Sequence, residues 1–238
     1  MHIGELHIDN HPNLTIDFLE KHLNDFPWRW DYMHLCPCLT MEFIEKHLDK
    51  PWDWRRMSSW KGFTLEFIEN HLNYPWKWEY LSYSMRHLTI DFLKRHLDKP
   101  WNWYEVSRNS CITMDMIESN PHIPWVQKGV SANQNATDAY LTDEYILPFI
   151  NDKEFLDDMS FNSNLPISFL EHHLDVKWVW PALAQNNPHV TIEFLEKYLD
   201  KPWSLNALNH HLNLTDDFVE KHLDKPWDWF FYHLIKIV

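Results

Sequence analysis

Apolar positions along this chain come in short bursts with a fixed order. In "LTIDFLEKHLNDFPWRW", Leu14 to Trp30, a threonine precedes Ile16, Phe18, Leu19 and Leu23, and a proline then introduces two tryptophans. Near copies run from Leu39 ("LTMEFIEKHLDKPWDW"), Leu88 ("LTIDFLKRHLDKPWNW") and Leu214 ("LTDDFVEKHLDKPWDW"). The apolar spacing within each burst is that of one face of a helix, and the same burst recurs from end to end of the chain.

The threonine recurs at Thr15, Thr40, Thr64, Thr89, Thr113, Thr142, Thr191 and Thr215, with Pro166 in the remaining slot. Successive spacings are 25, 24, 25, 24, 29, 24, 25 and 24. Of 15 tryptophans, only Trp60 stands outside two positions of this repeat. Each repeat predicts two short helices. The first, helix A, starts at the threonine, whose hydroxyl can accept from an exposed first-turn amide. An acidic residue two positions on suits the helix N-terminus. It also stands four before Lys21, Lys46, Arg95, Lys197 and Lys221, which predicts ion pairs within the helix. Positions 1, 3, 4 and 8 after the threonine form the apolar stripe. A proline (Pro27, Pro51, Pro75, Pro100, Pro124, Pro202, Pro226) ends helix A and suits the first turn of helix B. The tryptophans and the residue three later (Met33, Met57, Leu81, Val106, Leu183) give helix B its apolar side.

A helix of roughly eight residues, about 12 Å long, does not persist alone, so each pair must take its core from its neighbours. The expected architecture is all-α: one α-solenoid domain of about nine two-helix repeats over residues 1–238. Residues 1–13 read as a partial N-terminal cap and 14–111 as four regular repeats. Residues 112–164 read as two degenerate repeats with an insertion, "SANQNATDAY", and 165–238 as three C-terminal repeats. The degenerate stretch, with Pro121 and Pro148 inside its predicted A helices and Gly129 in a B helix, is the expected bend or hinge. Two sub-solenoids flanking it are the alternative.

Composition supports an all-helical chain. Three glycines in 238 residues leave little material for the φ > 0 turns that hairpin-rich β folds need. A net charge of −14 weighs against nucleic-acid binding, which draws its affinity from phosphate neutralisation. Three cysteines are too few for a disulfide framework and fit a reducing compartment. With no signal-like N-terminus and no apolar run of the roughly 20 residues a bilayer requires, a cytoplasmic protein without a membrane partner is expected.

The pattern T-x-[DE]-F-[IL]-E-K-H-x-D-K-P-W-x-W, sharpest in "EKHLDKPWDW" at Glu45–Trp54 and Glu220–Trp229, resembles a tryptophan-rich short repeat of giant DNA viruses of protists, the mimivirus relatives. The resemblance implies a viral protein acting in the cytoplasm of an infected host. It carries over no activity and no functional residues.

Candidate chemistry is sparse. His22, His47, His71, His96, His173 and His222 occupy one repeat position, with Asn120, Phe149 and Tyr198 in the same slot. Ligands strung out one per repeat do not converge on an ion, so the column reads as packing, with a pH-responsive role as the alternative. "HLCPC", with His34, Cys36 and Cys38, has no second close pair to complete a zinc site. No catalytic motif is found, so neither enzyme activity nor a cofactor is expected. The tryptophan ladder reads as core before ligand platform.

Positions that vary between repeats are where a partner would bind. Those between and after the tryptophans vary most. If helix B lines one face, Tyr32, Arg55, Arg56, Trp60, Tyr80, Tyr83 and Tyr104 form the candidate partner-binding face, since Tyr, Trp and Arg anchor protein interfaces. The expected function is a non-enzymatic scaffold for an unidentified protein partner. Self-association through the apolar C-terminal end, "WFFYHLIKIV", is the alternative, and nucleic-acid binding is the weakest reading.

Overall fold

The computed structural model describes residues 12–204 and 216–222. Every regular element among them is helical and none is a strand. In chain order they are α1 (Ile16–Lys21), a 3₁₀ helix (Trp30–Leu35), α2 (Met41–Lys46), α3 (Trp54–Met57), α4 (Leu65–Asn70), α5 (Trp78–Ser84), α6 (Ile90–Arg95) and α7 (Trp103–Arg108). There follow α8 (Met114–Ser119), α9 (Gln127–Ala132), a 3₁₀ turn (Asp138–Tyr140), α10 (Asp143–Ile146) running into a second (Leu147–Phe149), α11 (Lys153–Ser160), α12 (Ile167–His172), α13 (Trp180–Asn186), α14 (Ile192–Lys197) and α15 (Asp216–Lys221). The chain divides into two compact units, Met1–Ile112 and Thr113–Val238, with the boundary at the start of the degenerate stretch. The N-terminal cap through residue 11, the Thr215 cap and the apolar C-terminal end lie outside the described residues.

Helix A starts as its threonine dictates. Thr15, Thr40, Thr64, Thr89, Thr113 and Thr191 each accept a hydrogen bond from the amide three residues on, at 3.1–3.3 Å. Thr142 and Pro166 make no side-chain cap. Where the first turn reads T-x-x-F/M the hydroxyl is used, in the degenerate repeat from Thr113 included; in the repeat from Thr142 it is not.

The end of helix A shows what the proline and first tryptophan do. His22, His47, His71, His96, Asn120, His173 and Tyr198 each close helix A as its C-cap. The carbonyl of each accepts twice, from the amide three residues on and from the indole N–H of the first tryptophan, at 2.8–3.0 Å. That tryptophan's own amide donates to the carbonyl two residues back, across the proline (or Lys177). This is an inverse γ-turn, whose central φ matches the fixed proline value. The prolines therefore sit in the turn between the helices. Helix B begins three residues later at the second tryptophan, which corrects the expectation that proline occupies its first turn. Pro121 likewise follows the Asn120 cap of α8 instead of lying inside the helix, whereas Pro148 does break its helix, into α10 and a 3₁₀ turn.

Helix A has six residues in the regular repeats, about 9 Å, and its stability comes from neighbours. Positions 3 and 4 carry the burial: Phe43/Ile44, Phe67/Ile68 and Phe92/Leu93 are buried, as are Met33, Met57, Leu81, Val106 and Leu183 of the second helices. Position 8 does not belong to the stripe. Leu48, Leu72 and Leu97 are 36%, 44% and 39% exposed, because the helix has ended before it and the cap residue turns the chain outward.

Adjacent repeats meet at a tryptophan seam. The second tryptophan of one repeat meets the first of the next at a steep angle, Trp30–Trp52, Trp78–Trp101 and Trp180–Trp203 at 4.9 Å and Trp54–Trp76 at 5.4 Å, with interplanar angles of 68–81°. This edge-on geometry is the favoured one for aromatic pairs. Beside the seam runs a line of buried serines. Ser58, Ser82 and Ser160 each donate to the carbonyl four residues back and accept an amide from the next repeat, Lys77, Asn102 and Val179 respectively, at 2.9–3.0 Å. Asparagines at the ends of second helices reach the other way: Asn109 donates to the Met85 carbonyl at 3.0 Å and Asn187 to the Leu165 carbonyl at 2.7 Å. Backbone groups that a short helix leaves unpaired are thus satisfied by the neighbouring repeat.

Candidate partner-binding face

Outward side chains of the second helices gather into two clusters in the first unit. In one, the Arg29 and Arg56 guanidiniums lie over the Tyr32 ring, 4.0 and 4.6 Å from its centroid. Arg29 and Tyr32 come from the first repeat and Arg56 from the second, so the cluster exists only because the repeats stack. Asp53 positions it. Its carboxylate caps α3 by accepting from the Arg55 and Arg56 amides at 3.1 and 3.2 Å, and it pairs with the Arg56 side chain at 3.4 Å. Hydrogen bonding from Arg56, reinforced by its charge and by Arg29, holds the Tyr32 phenol below its ordinary range. Burial, then the Arg56 charge, does the same to His34, whose ring stacks beside Tyr32 at 6.3 Å. Arg55 points into solvent.

The second cluster is aromatic. Tyr80 and Tyr83, three apart on α5, are 45% and 44% exposed with ring centroids 6.0 Å apart. Partial burial, then Tyr80 and Glu105, raises the Tyr83 phenol. Tyr83 also borders a pocket of about 240 Å³ with Arg86, Glu105, Arg108 and Asn109. Arg108 pairs with Glu105 at 2.9 Å and lies over the Tyr104 ring at 5.4 Å. Six of the seven predicted side chains therefore sit in or beside these clusters. Trp60 does not. Its half-buried ring packs edge-on against Phe63 at 5.0 Å and over Gly62, where any Cβ would fall inside the indole. Sequence reasoning placed Arg29 among the varying positions but not on the face. Its place three before Tyr32 was the available signal.

The second unit offers a different surface. The inserted segment lines a groove of about 610 Å³ with Asp138, Asn164, Glu171, His189, Glu193 and Lys197 over Ile167 and Phe194. Tyr140, in the same insertion, donates to Glu118 at 2.7 Å, and that carboxylate pushes its phenol up to about 12. In the sequence the insertion marks only the degenerate stretch. Its contribution is a wall, which no motif announces.

The histidine column is built into the stack. Each described ring lies on the phenylalanine four residues earlier, at 4.2–4.8 Å. The Nε2 atoms of four lie toward carboxylates of the preceding repeat, within hydrogen-bond distance for His96 to Glu69 at 3.3 Å and His173 to Asp143 at 3.0 Å, and beyond it for the buried Nε2 of His47 to Glu20 at 3.8 Å and of His222 to Glu196 at 3.6 Å. Three of these carboxylates, Glu20, Glu69 and Glu196, also hold a cation, as does Glu171, which accepts from the Tyr198 hydroxyl in place of a histidine at 3.2 Å. Lys46 reaches Glu20, Arg95 Glu69, Lys197 Glu171 and Lys221 Glu196, all at 2.7–2.8 Å. For these four cations the expected pairs within helix A are replaced by pairs between repeats. These hydrogen bonds hold all four glutamates below the usual carboxylate range.

Among the described residues no three His, Cys, Asp or Glu side chains are placed to hold a metal ion, and no helix is long and apolar enough to cross a membrane. Compared with protein-family models, curated proteins and solved structures, the chain matches none.

Proposed function

We propose that the repeats form α-solenoid segments serving as a non-enzymatic scaffold, with the second-helix face of the first unit receiving a protein partner. The observation that carries this reading is the pair of clusters around Tyr32 and Tyr80. Both stand outward, and neither contributes to the seam. Two guanidiniums over a phenol, paired at 3.5 and 3.4 Å with Asp31 and Asp53, and exposed Arg55 beside them make an aromatic patch that carries one more cation than carboxylate on a chain of net charge −14. Such a patch suits a partner segment that presents carboxylates and an apolar edge. Side chains of the histidine column are already engaged: each described ring lies on a phenylalanine, all but His71 face a carboxylate, and Glu20, Glu69, Glu171 and Glu196 hold a lysine or arginine. By the resemblance of its repeats, the setting we propose is the cytoplasm of an infected host.

The test compares capture of host proteins from infected cells by the wild-type chain and by Arg56→Ala plus Tyr80→Ala, a variant that leaves the seam intact. Selective loss of the captured species supports the scaffold. Unchanged capture refutes this face. Light scattering addresses the alternative of self-association, where a mass rising with concentration would favour assembly. The C-terminal end invoked for it lies outside the described residues. Retardation of RNA at low salt would revive the nucleic-acid reading.

A further inference from the structure

In "HLCPC", His34 stands beside Tyr32, and the structure gives the two cysteines a separate use. Cys36 and Cys38 have their Sγ atoms 2.7 Å apart, against a bond length of about 2.05 Å in a disulfide. The approach is set by the backbone. The Cys36 amide donates to the Met33 carbonyl at 3.0 Å, closing the 3₁₀ helix, and the Leu39 amide donates back to the Cys36 carbonyl at 3.3 Å. The second bond closes a β-turn over Pro37 and Cys38, with proline at the position that favours its φ. Both thiols therefore fall on the inside of one fixed turn. Cys36 is 3% exposed, while Cys38 is half-exposed and meets solvent. Burial, then the neighbouring thiol, pushes the Cys36 thiol up to about 12, so Cys38 is the point of entry.

We infer that Cys36 and Cys38 form a dithiol that closes to an intramolecular disulfide by exchange with a small-molecule or protein disulfide. Cys38, as thiolate, attacks one sulfur of the incoming disulfide and releases the other half as a thiol, leaving a mixed disulfide. Cys36 then loses its proton and attacks the Cys38 sulfur, displacing the second half. Two electrons pass from the cysteines to the incoming disulfide, and their two protons end on the two released thiols. Closure locks the turn between the helix carrying Tyr32 and the Thr40 cap of α2. The inference does not depend on the scaffold reading. Cys111 supplies an internal control, because its Sγ lies against the Arg86 carbonyl at 2.7 Å instead of another thiol.

The experiment uses the full chain, reduced, desalted and equilibrated in glutathione buffers of rising disulfide content. Remaining thiols are then alkylated and peptides read by mass spectrometry. The expected result is a Cys36–Cys38 peptide lighter by about 2 Da, unalkylated and restored by dithiothreitol, the two hydrogens lost on closure. It should form at a more reducing poise in the folded chain than in urea. Cys38→Ser abolishes it, and Cys111→Ser leaves it unchanged. Three outcomes would overturn the inference: both cysteines remaining alkylatable across the series, a lasting glutathione adduct on Cys38, or closure equally easy in urea.

Discussion

The seam makes its sharpest prediction at Trp101. The indole N–H donates to the His96 carbonyl at 2.8 Å, the ring is buried, and Trp78 of the preceding repeat packs on it at 4.9 Å. Trp101→Phe keeps an aromatic ring and removes the donor. The His96 carbonyl retains its bond from the Lys99 amide, so the relevant figure is the net worth of one hydrogen bond, about 0.5–1.5 kcal/mol, and not the larger cost of a stranded acceptor. The smaller ring adds a packing loss, for a total of about 1.5–3 kcal/mol. If the donor contributed nothing, Trp101→Phe would be no worse than a conservative core swap, under about 1.5 kcal/mol.

A double-mutant cycle then isolates the contact between repeats. Trp78→Leu and Trp101→Leu, singly and together, should show a coupling of about 0.5–1.5 kcal/mol, the worth of an edge-on aromatic pair beyond its burial. Trp52 and Trp101 share no ring partner, so their cycle should close to within about 0.5 kcal/mol. Urea unfolding followed by circular dichroism supplies both measurements, provided the m-value holds constant across the set. Zero coupling for Trp78–Trp101, or equal coupling for Trp52–Trp101, would refute the claim that stability passes from each repeat to the next through the tryptophans.

Other perturbations probe the remaining devices. Thr64→Ala removes a working cap and should cost about 1 kcal/mol in urea unfolding, whereas Thr142→Ala, which removes none, should cost almost nothing; equal losses would contradict the capping assignment. Ser82→Ala breaks the relay between the Trp78 carbonyl and the Asn102 amide and should cost about 1–3 kcal/mol, measured the same way. Gly62→Ala displaces the Trp60 ring from Phe63, at about 1–3 kcal/mol, and the loss should vanish in a Trp60→Ala background. Glu20, Glu69, Glu171 and Glu196 have folded pKa values below the ordinary 4.5, so their contribution is fully present above 4.5 and is lost as pH falls through the depressed values. Thermal melts should therefore fall steeply only below about 4.5, preceded by a small loss between about pH 6.5 and 5.5 from His34, whose lowered pKa makes the folded chain resist the proton that the unfolded chain accepts; a loss in that upper window that persists in His34→Ala would point to the histidine column instead.

Much of this fold was legible because its devices are local. A threonine three before a phenylalanine, a proline before paired tryptophans and an apolar residue three further on are short-range signals, and each recurs. Where local reasoning failed, a nearby residue offered a plausible role that the chain did not use. Proline suits a first helical turn, but its fixed φ also suits a γ-turn, and the tryptophan amide that closes this turn carries no mark in the sequence. Leu48, Leu72 and Leu97 continue the helical period on paper. They stand outside because the histidine before each has already ended the helix. The face was legible in residue type but not in grouping: Tyr32 and Arg56 are 24 positions apart, and only stacking brings them together.

The ion pairs make the same point. Lys46 has a carboxylate four residues earlier, Glu42, and another in the preceding repeat, Glu20, and sequence spacing ranks the first above the second. The structure chooses the second, at 2.8 Å, and does so again at Arg95, Lys197 and Lys221. A pair within an isolated exposed helix is worth about 0.3–0.5 kcal/mol. A carboxylate shared by a cation and a C-cap ring across a seam forms a network, and it stabilises the stack where single helices are weakest, at their ends. The third repeat lacks the cation, with Asn70 in its place, and there His71 turns inward to the Phe67 carbonyl at 2.8 Å. The ring there satisfies its own helix instead of a carboxylate. The residue before the histidine does not decide this alone, because His173 keeps its Asp143 partner at 3.0 Å with His172 before it; the histidine column is a structural element whose ring packing on phenylalanine is constant and whose nitrogen partner changes from repeat to repeat.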